Sequence, residues 1–380
     1  MRIALVLAGP YPDLRGSQVL VRQLADGIRG RGHAVHLVTY GAVASGRPGP
    51  RPARLARDVV LVARLWRTVR REAIDLIHAH NYEAAIAGLV VGRAASCPVV
   101  YHGHTALAEE LPLYFRARLA RRLARRVGLL LDAHVPRRAD FCIAVTAELG
   151  EMLRRRGVTA GDLACIAPAA TPGAAAHRPR TDPNGLVCYA GNLDGYQNLG
   201  FLLASFARVR ARVAAARLVL VTHAAPGALE RTLGPGVEIV RAASYDEVRA
   251  RLDAADVAVS PRSERAGFPM KLLNYMAAGK AIVASAGSAK CLRDGVTGRV
   301  VPDGDEAAFA AAVVELLSDA GARARLGAAA RRAVEDARAW ETVLDRIEAI
   351  YRNVLAARRA AGPELAASAP DGFGVAAPTE

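Results

Sequence analysis

The stretch from Ser260 to Gly279, SPRSERAGFPMKLLNYMAAG, decides the reading of this chain. An apolar strand at 257–259 runs into a turn that carries Pro261, Gly267 and Pro269. A helix begins at once, with Lys271 and Asn274 three residues apart on one face. A strand end, a glycine turn and a helix start bring free backbone N–H groups and the positive end of the helix dipole to one gap, an arrangement that holds an anion. Lys271 adds a point charge in the first turn, and Asn274, one turn further in, offers an amide able to hold a diol. The pattern predicts a sugar–diphosphate pocket built from Gly267, Phe268, Pro269, Met270, Lys271 and Asn274, with Arg262 on its approach.

Working outward, the first half of the chain alternates short apolar runs with helical patterns, at 3–7, 19–30, 34–39, 60–70, 76–79, 84–92 and 99–101. Such alternation predicts a parallel, doubly wound sheet covered on both faces. Residues 42–54, rich in Gly, Pro and Arg, read as a surface loop. The aperiodic run APAATPGAAAHRPRTDPNG after Ile166 contains a linker, 169–184. A second alternation has strands at 186–190, 218–221, 237–240, 257–259 and 282–284. Helices follow at 307–317 and 322–337, then a long one from Trp340 to about 358. The expected organisation is a first domain at 1–168, the linker, and a second domain at 185–338. A helix at 339–360 crosses back to the first domain, and a disordered tail spans 361–380. Two such sheets in tandem place a ligand at the carboxyl ends of their strands, in the cleft between them.

Composition narrows the class. At 380 residues there is room for two ordinary domains, and no apolar run approaches the roughly 20 residues of a membrane span. The opening MRIALVLAGP is too short an apolar run for a signal peptide and reads as a buried strand. Five cysteines, odd in number and widely spaced, suit reduced thiols in a cytoplasmic protein and show no metal spacing. The net charge of +15 is carried almost wholly by Arg, since Lys271, Lys280 and Lys290 are the lysines. No nucleic-acid-binding pattern accompanies it, so the expected partners are an anionic membrane surface or an anionic substrate, not nucleic acid. Residues 115–131, FRARLARRLARRVGLLL, hold six arginines between Arg116 and Arg126, with Phe115, Leu119, Leu123, Val127 and Leu130 on one helical face. This helix either lies on an anionic leaflet or presents a solvated face.

The order and spacing of PYPDLRGSQ, RGHAVHLVTY, DLIHAHNYE, VVYHGHT, YAGNLDGYQNLGFLLASFARV, DAADVAVSPR, GFPMKLLNYMAAGKAIVAS and DGVTGRVVPDGDEAAFAAAV resemble glycosyltransferase family 4 over about residues 2 to 355. That resemblance implies the GT-B architecture, two Rossmann-like α/β domains facing a cleft. It also implies metal-independent, retaining transfer from a nucleoside-diphosphate sugar, a co-substrate with no further cofactor, to a glycan or lipid-linked acceptor. His104, followed by Thr105, matches the histidine that lies against the transferred sugar, with His102 its competitor. Gly16, just ahead of a helix, and Gly191, after a strand, would let the backbone approach the diphosphate, although Gly16-Ser17 also reads as an ordinary helix cap. The chain departs from the family at Ala266 and Asn274, where a Glu pair is usual; Glu264 lies two residues before the first of these. It departs again at Asn192 and Gln197, where Arg and Lys are usual, leaving Arg262 and Lys271 to supply positive charge.

His80 and Asn81 read as substrate-facing residues on the acceptor side with Thr105, and His78 as a core residue. Glu109 and Glu110 read as acceptor-side groups or as a surface charge pair. Asp303-Gly304-Asp305 reads as a helix N-cap rather than a metal site. Two rivals from other classes share this fold: a catalytically silent sugar-nucleotide binder, suggested by the missing acidic pair, and a sugar-nucleotide epimerase.

Overall fold

The computed structural model describes residues 1–11, 16–42, 49, 52–169, 185–223, 227–263, 267–334 and 339–360. Most of the linker, the C-terminal tail, part of the loop at 42–54, Glu264 and Ala266 lie outside them.

The first sheet is formed by β1 (Arg2–Leu7), β2 (Ala34–Val38), β3 (Leu76–His80), β4 (Val99–Gly103), β5 (Phe141–Ala144) and β6 (Leu163–Cys165), in the order β2-β1-β3-β4-β5-β6. Its helices are α1 (Gly16–Gly30), α2 (Pro52–Glu72), α3 (Asn81–Ala94), the single turn α4 (Leu107–Glu110), α5 (Arg118–His134) and α6 (Ala147–Arg155). The second sheet holds β7 (Leu186–Ala190), β8 (Arg217–Thr222), β9 (Val237–Arg241), β10 (Val257–Ser260), β11 (Ala281–Ser285) and β12 (Arg299–Val301), in the order β12-β11-β10-β7-β8-β9. Around it lie α7 (Leu199–Arg212), α8 (Tyr245–Ala254), α9 (Met270–Ala277), α10 (Glu306–Ser318) and α11 (Ala320–Val334), and α12 (Ala339–Ala360) ends the described chain. Pairing between the named strands is parallel throughout. The fold is therefore GT-B, two Rossmann-like sheets each wrapped by helices.

The core explains the sidedness. One apolar layer lies between the first sheet and α2, α3 and α6, through residues such as Leu61, Leu65, Ala84 and Leu153. The opposite face carries α1 together with α12, whose Trp340, Leu344, Ile347, Tyr351 and Val354 pack on Ile3, Leu5, Leu20 and Leu24. The last helix thus follows the second domain in sequence but completes the core of the first. It is pinned at its side by Arg31, which contacts Glu341 at 2.6 Å, Asp345 at 2.6 Å and Glu348 at 3.1 Å.

Several boundaries differ from the sequence reading. β5, β6 and β12 were not foreseen, being three or four residues long and too short to show alternation. Residues 52–54, read as loop, open α2, because Pro is tolerated in a first helical turn where its missing N–H would have no partner anyway. Gly16 begins α1 instead of preceding it. Asp305 is the N-cap of α10, its carboxylate accepting from the Ala308 N–H at 2.9 Å. The five cysteines are unpaired.

Candidate functional site

Carboxyl ends of strands from both sheets open onto one cleft of about 720 Å³. On the second-domain side, β10 ends at Ser260 and α9 starts at Met270, with Lys271 in its first turn. The Lys271 ammonium sits deep in the wall. It donates to Gln197 Oε1 at 2.6 Å and to the Tyr189 hydroxyl at 3.0 Å, and lies 4.2 Å from the Tyr189 ring centroid. Burial, and then the nearby Arg262 charge, hold its pKa well below that of an ordinary lysine. Gln197 Nε2 donates to Asn192 Oδ1 at 3.0 Å, Asn192 Nδ2 donates to the Tyr196 hydroxyl at 2.8 Å, and the Arg262 guanidinium stacks over Tyr196 at 5.2 Å. Asn192 and Gln197, standing where family 4 usually carries cations, therefore brace a lysine delivered from another element. The cation on this wall thus comes from the start of α9, while the loop after β7 carries no Lys or Arg.

Gly191 has a packing reason to be glycine. A Cβ there would lie 3.0 Å from the Tyr189 hydroxyl and 3.1 Å from Lys271 Nζ. Gly267 has a different one: its φ is +75°, and a Cβ would stand 2.8 Å from Thr105 Cγ2 across the cleft. The turn that contains it bridges the domains, with Phe268 packed against the core under α2 and α3 and Met270 against the core under α12. Gly16 faces Met270, whose Cγ would be 3.3 Å from an added Cβ. Asn274 also lines the cleft, one turn into α9.

On the first-domain side, β3 and β4 pair with His80 opposite His102. Alternate side chains share a face, so His78, His80, His102 and His104 meet in one group. The rings of His78, His80 and His102 are stacked, at centroid separations of 4.5, 4.8 and 5.1 Å, and His104 stands edge-on to His80 at 5.3 Å. His78 Nδ1 lies 2.5 Å from the Tyr351 hydroxyl of α12, and its Nε2 lies 3.0 Å from His102 Nδ1. His80 Nδ1 lies 3.1 Å from His104 Nε2. Burial depresses the whole group, taking His78 to about 3 and His104 to about 4, so these imidazoles are neutral at physiological pH. His78, His80 and His102 each bring one possible ligand atom within 4.8 Å of the others. Their rings are stacked rather than aimed at a common point, and His78 and His102 bond to each other.

His104 and Thr105 line the cleft, whereas His102 is buried beneath them. Asn81 adopts φ +67° at the start of α3 and accepts the His104 backbone N–H at 3.2 Å, fixing the end of β4. Thr105 hydrogen-bonds to Glu110, which also accepts from the Tyr114 hydroxyl at 2.7 Å. His80 also borders the cleft, with no exposed surface and its ring held against His104. One acceptor-side expectation is placed differently. Glu109 is exposed and does not line the cleft, because the single turn α4 points adjacent residues to different sides. Sequence reasoning missed Arg54, Glu83, Tyr40 and Tyr114 on this wall. Arg54 pairs with Glu83 at 2.9 Å; an Arg placed in the first turn of α2 would have been the signal, had that helix been started at Pro52.

A family model described as Glycosyltransferase Family 4 matches residues 14–172, and one described as Glycosyl transferases group 1 matches residues 184–319. The phosphatidyl-myo-inositol mannosyltransferase of Mycobacterium leprae is 28% identical over 375 residues, which is 93% of this chain and 97% of that protein. Sucrose-phosphate synthase from Thermosynechococcus elongatus superposes with a TM-score of 0.78 at 21% identity, covering 94% of this chain and all of the other. Anabaena Alr3699/HepE in complex with UDP-glucose gives 0.71 at 17% identity, over 93% of this chain and 100% of that one. At those identities the structural likeness is one of fold.

Proposed function

We propose, for a chain that belongs to glycosyltransferase family 4 and so is an enzyme that transfers glycosyl groups, that it moves a sugar from a nucleoside-diphosphate donor to a lipid-linked or glycan acceptor with retention and without a metal. The observation that carries this is the buried Lys271 ammonium at the N-terminus of α9, braced by Gln197 and Tyr189. A diphosphate at that helix start meets free N–H groups, the helix dipole and two cations, Lys271 and Arg262, which is charge compensation enough to stand in for a metal ion. Asn274 then faces the ribose diol. UDP-glucose in the HepE complex supports a nucleotide sugar, and the mannosyltransferase relative's name supports a lipid acceptor.

His104 faces the sugar from the opposite wall. As a neutral imidazole it contacts a sugar hydroxyl and places its dipole near the charge that develops at C1. Retention without a protein nucleophile follows front-face attack. The bond from C1 to the phosphate oxygen breaks, the acceptor oxygen bonds C1 on the same face, and the acceptor proton passes to the leaving diphosphate. Gly16 against Met270 and the Phe268 turn keep the domains close enough to exclude water from that step.

Membrane contact is part of this reading. On α5, Ala124 and Gly128 face inward, while Leu119, Leu123, Val127 and Leu130 are exposed between arginines. On the same outer layer, Leu55, Val59 and Trp66 of α2 and Ile86 and Val90 of α3 are also exposed. An arginine-rich surface with apolar side chains outward fits the cytoplasmic face of an anionic leaflet, each cation near it contributing about 1 kcal/mol. Sedimentation with phosphatidylglycerol vesicles should pull the protein down at low salt, and the double substitution Leu119→Glu, Leu123→Glu should leave it in the supernatant. Equal binding to phosphatidylcholine vesicles would refute the electrostatic part.

Incubation with UDP-glucose or GDP-mannose and a membrane-lipid extract, with and without EDTA, tests the activity. Nucleoside-diphosphate release that requires the extract and survives EDTA, with a product of unchanged anomeric configuration, is expected. Tight binding with no release would favour the silent binder, and altered donor without acceptor would favour the epimerase.

A further inference from the structure

His80 is fully buried, and its Nε2 has no hydrogen-bond partner among the described residues, while its Nδ1 is 3.1 Å from His104 Nε2. The contact takes one of the two ring nitrogens of His104, so Nδ1 is the nitrogen left to meet a ligand. A single proton between the two rings can sit in two ways. If His104 donates, His80 must carry its own proton on Nε2, a buried N–H with no acceptor. If His80 donates, its Nε2 is left as a bare lone pair and His104 carries its proton on Nδ1. Buried N–H groups without an acceptor are rarer in folded proteins than acceptors lacking a donor, and the second arrangement avoids one. No other described residue offers His80 Nε2 a partner. His78 and His102 stack on it face to face, and Asn81 is engaged with the His104 backbone N–H.

We propose that His80 is a positioning residue that fixes His104 in the Nδ1–H tautomer, so that His104 meets the transferred sugar as a hydrogen-bond donor. The inference rests on the placing of His104 at the sugar given above. A donor at that point holds a sugar hydroxyl through its oxygen lone pair and orients the ring before C1 begins to lose its leaving group. It neither takes nor gives a proton during transfer. Burial, which depresses His104 to about 4, keeps it neutral across the working range, so turnover should carry no ionisation from this residue above pH 5. The ladder continues to Tyr351 on α12 through His78 and His102, which packs the floor under His80.

The experiment uses the full-length chain labelled with 15N-histidine, and the His104 resonances are identified by their loss in His104→Ala. The long-range proton–nitrogen pattern should show His104 protonated on Nδ1 in the free protein. In His80→Phe the ring should revert to the commoner Nε2–H form, with kcat for UDP-glucose or GDP-mannose down about tenfold or more and nucleotide affinity changed less than threefold. His80→Asn, whose amide can either donate to or accept from His104 Nε2, should give a mixture of the two tautomers and a turnover between wild type and the Phe variant; because it retains a polar, smaller side chain, it also serves if the Phe variant does not fold. His104 protonated on Nε2 in the wild type, or a tautomer indifferent to His80→Phe, overturns the proposal. The failure of the underlying reading looks different: the tautomer responds as expected, yet His104→Ala turns over at the wild-type rate, which removes the catalytic part.

Discussion

Replacing Lys271 by Met tests the donor site most directly, since Met keeps most of the aliphatic volume and removes the charge. In the free protein the ammonium is held by Gln197 Oε1 at 2.6 Å and the Tyr189 hydroxyl at 3.0 Å, and burial followed by Arg262 depresses its pKa. A bound diphosphate supplies the opposite charge that this environment lacks and raises the pKa again. Two consequences follow. A hydrogen bond to a charged group contributes roughly 1.5–3 kcal/mol, so Lys271→Met should weaken donor binding about 10- to 150-fold. Binding should also take up a proton whenever the pH lies between the free-state and bound-state pKa values of Lys271. Within that window the dissociation constant rises with pH, by up to about tenfold per unit, since one unit of pKa corresponds to about 1.4 kcal/mol. The sign for stability runs the same way. The folded pKa is below the unfolded one, so the unfolded chain holds more protons, and stability of the free protein rises with pH between the two values and levels off above the unfolded value. Donor binding works against that gain.

Isothermal titration with UDP-glucose or GDP-mannose between pH 6 and 9, in buffers of differing ionisation enthalpy, reads both effects. The diphosphate of a nucleotide sugar has no ionisation in that range, and burial pushes Tyr189 up and His104 down to about 4, so the part of the slope that Lys271→Met removes belongs to Lys271. A Lys271→Met protein that folds, binds donor as tightly as wild type and keeps the same pH slope would remove Lys271 from the diphosphate site.

Other perturbations probe separate parts of the argument. His104→Ala should lower kcat by about 10²–10³, the scale seen for one stabilising donor, while donor affinity measured by titration changes less than tenfold. Gly267→Ala meets both a φ of +75° and a contact of 2.8 Å with Thr105 Cγ2, so it should cost about 1–2 kcal/mol in urea unfolding and reduce turnover by holding the domains apart. Leu344→Ala removes a buried contact of α12 with the first domain and should cost about 2–5 kcal/mol, read as a lowered denaturation midpoint of the first domain.

Much of this molecule was legible before its structure. The strands at 3–7, 76–79, 186–190 and 282–284 are buried on both sides in parallel sheets, and continuous apolar runs between polar turns announce that. Lys271 and Asn274 were legible because helical spacing ties them to a turn whose glycine and prolines mark it. The short strands β5, β6 and β12 were not, since three or four residues carry no period. His80 was legible only in part. Sequence places it at a strand end on the cleft, but only the pairing of β3 with β4 brings its ring against His104 and closes it off from solvent.

The sequence by itself determined two tandem Rossmann-like domains, the glycine turn before α9 and the lone cation in that helix's first turn. These depend on local rules of periodicity, turn chemistry and helix ends. Tertiary structure alone decided that Gln197 and Tyr189 would hold that cation, that the Phe268 turn would plug into the opposite domain, and that three histidines from two strands would stack, with His104 edge-on, into one neutral group. Contacts of that kind join residues far apart in the chain, and no local pattern records which long-range partner a buried polar group will find once water is excluded.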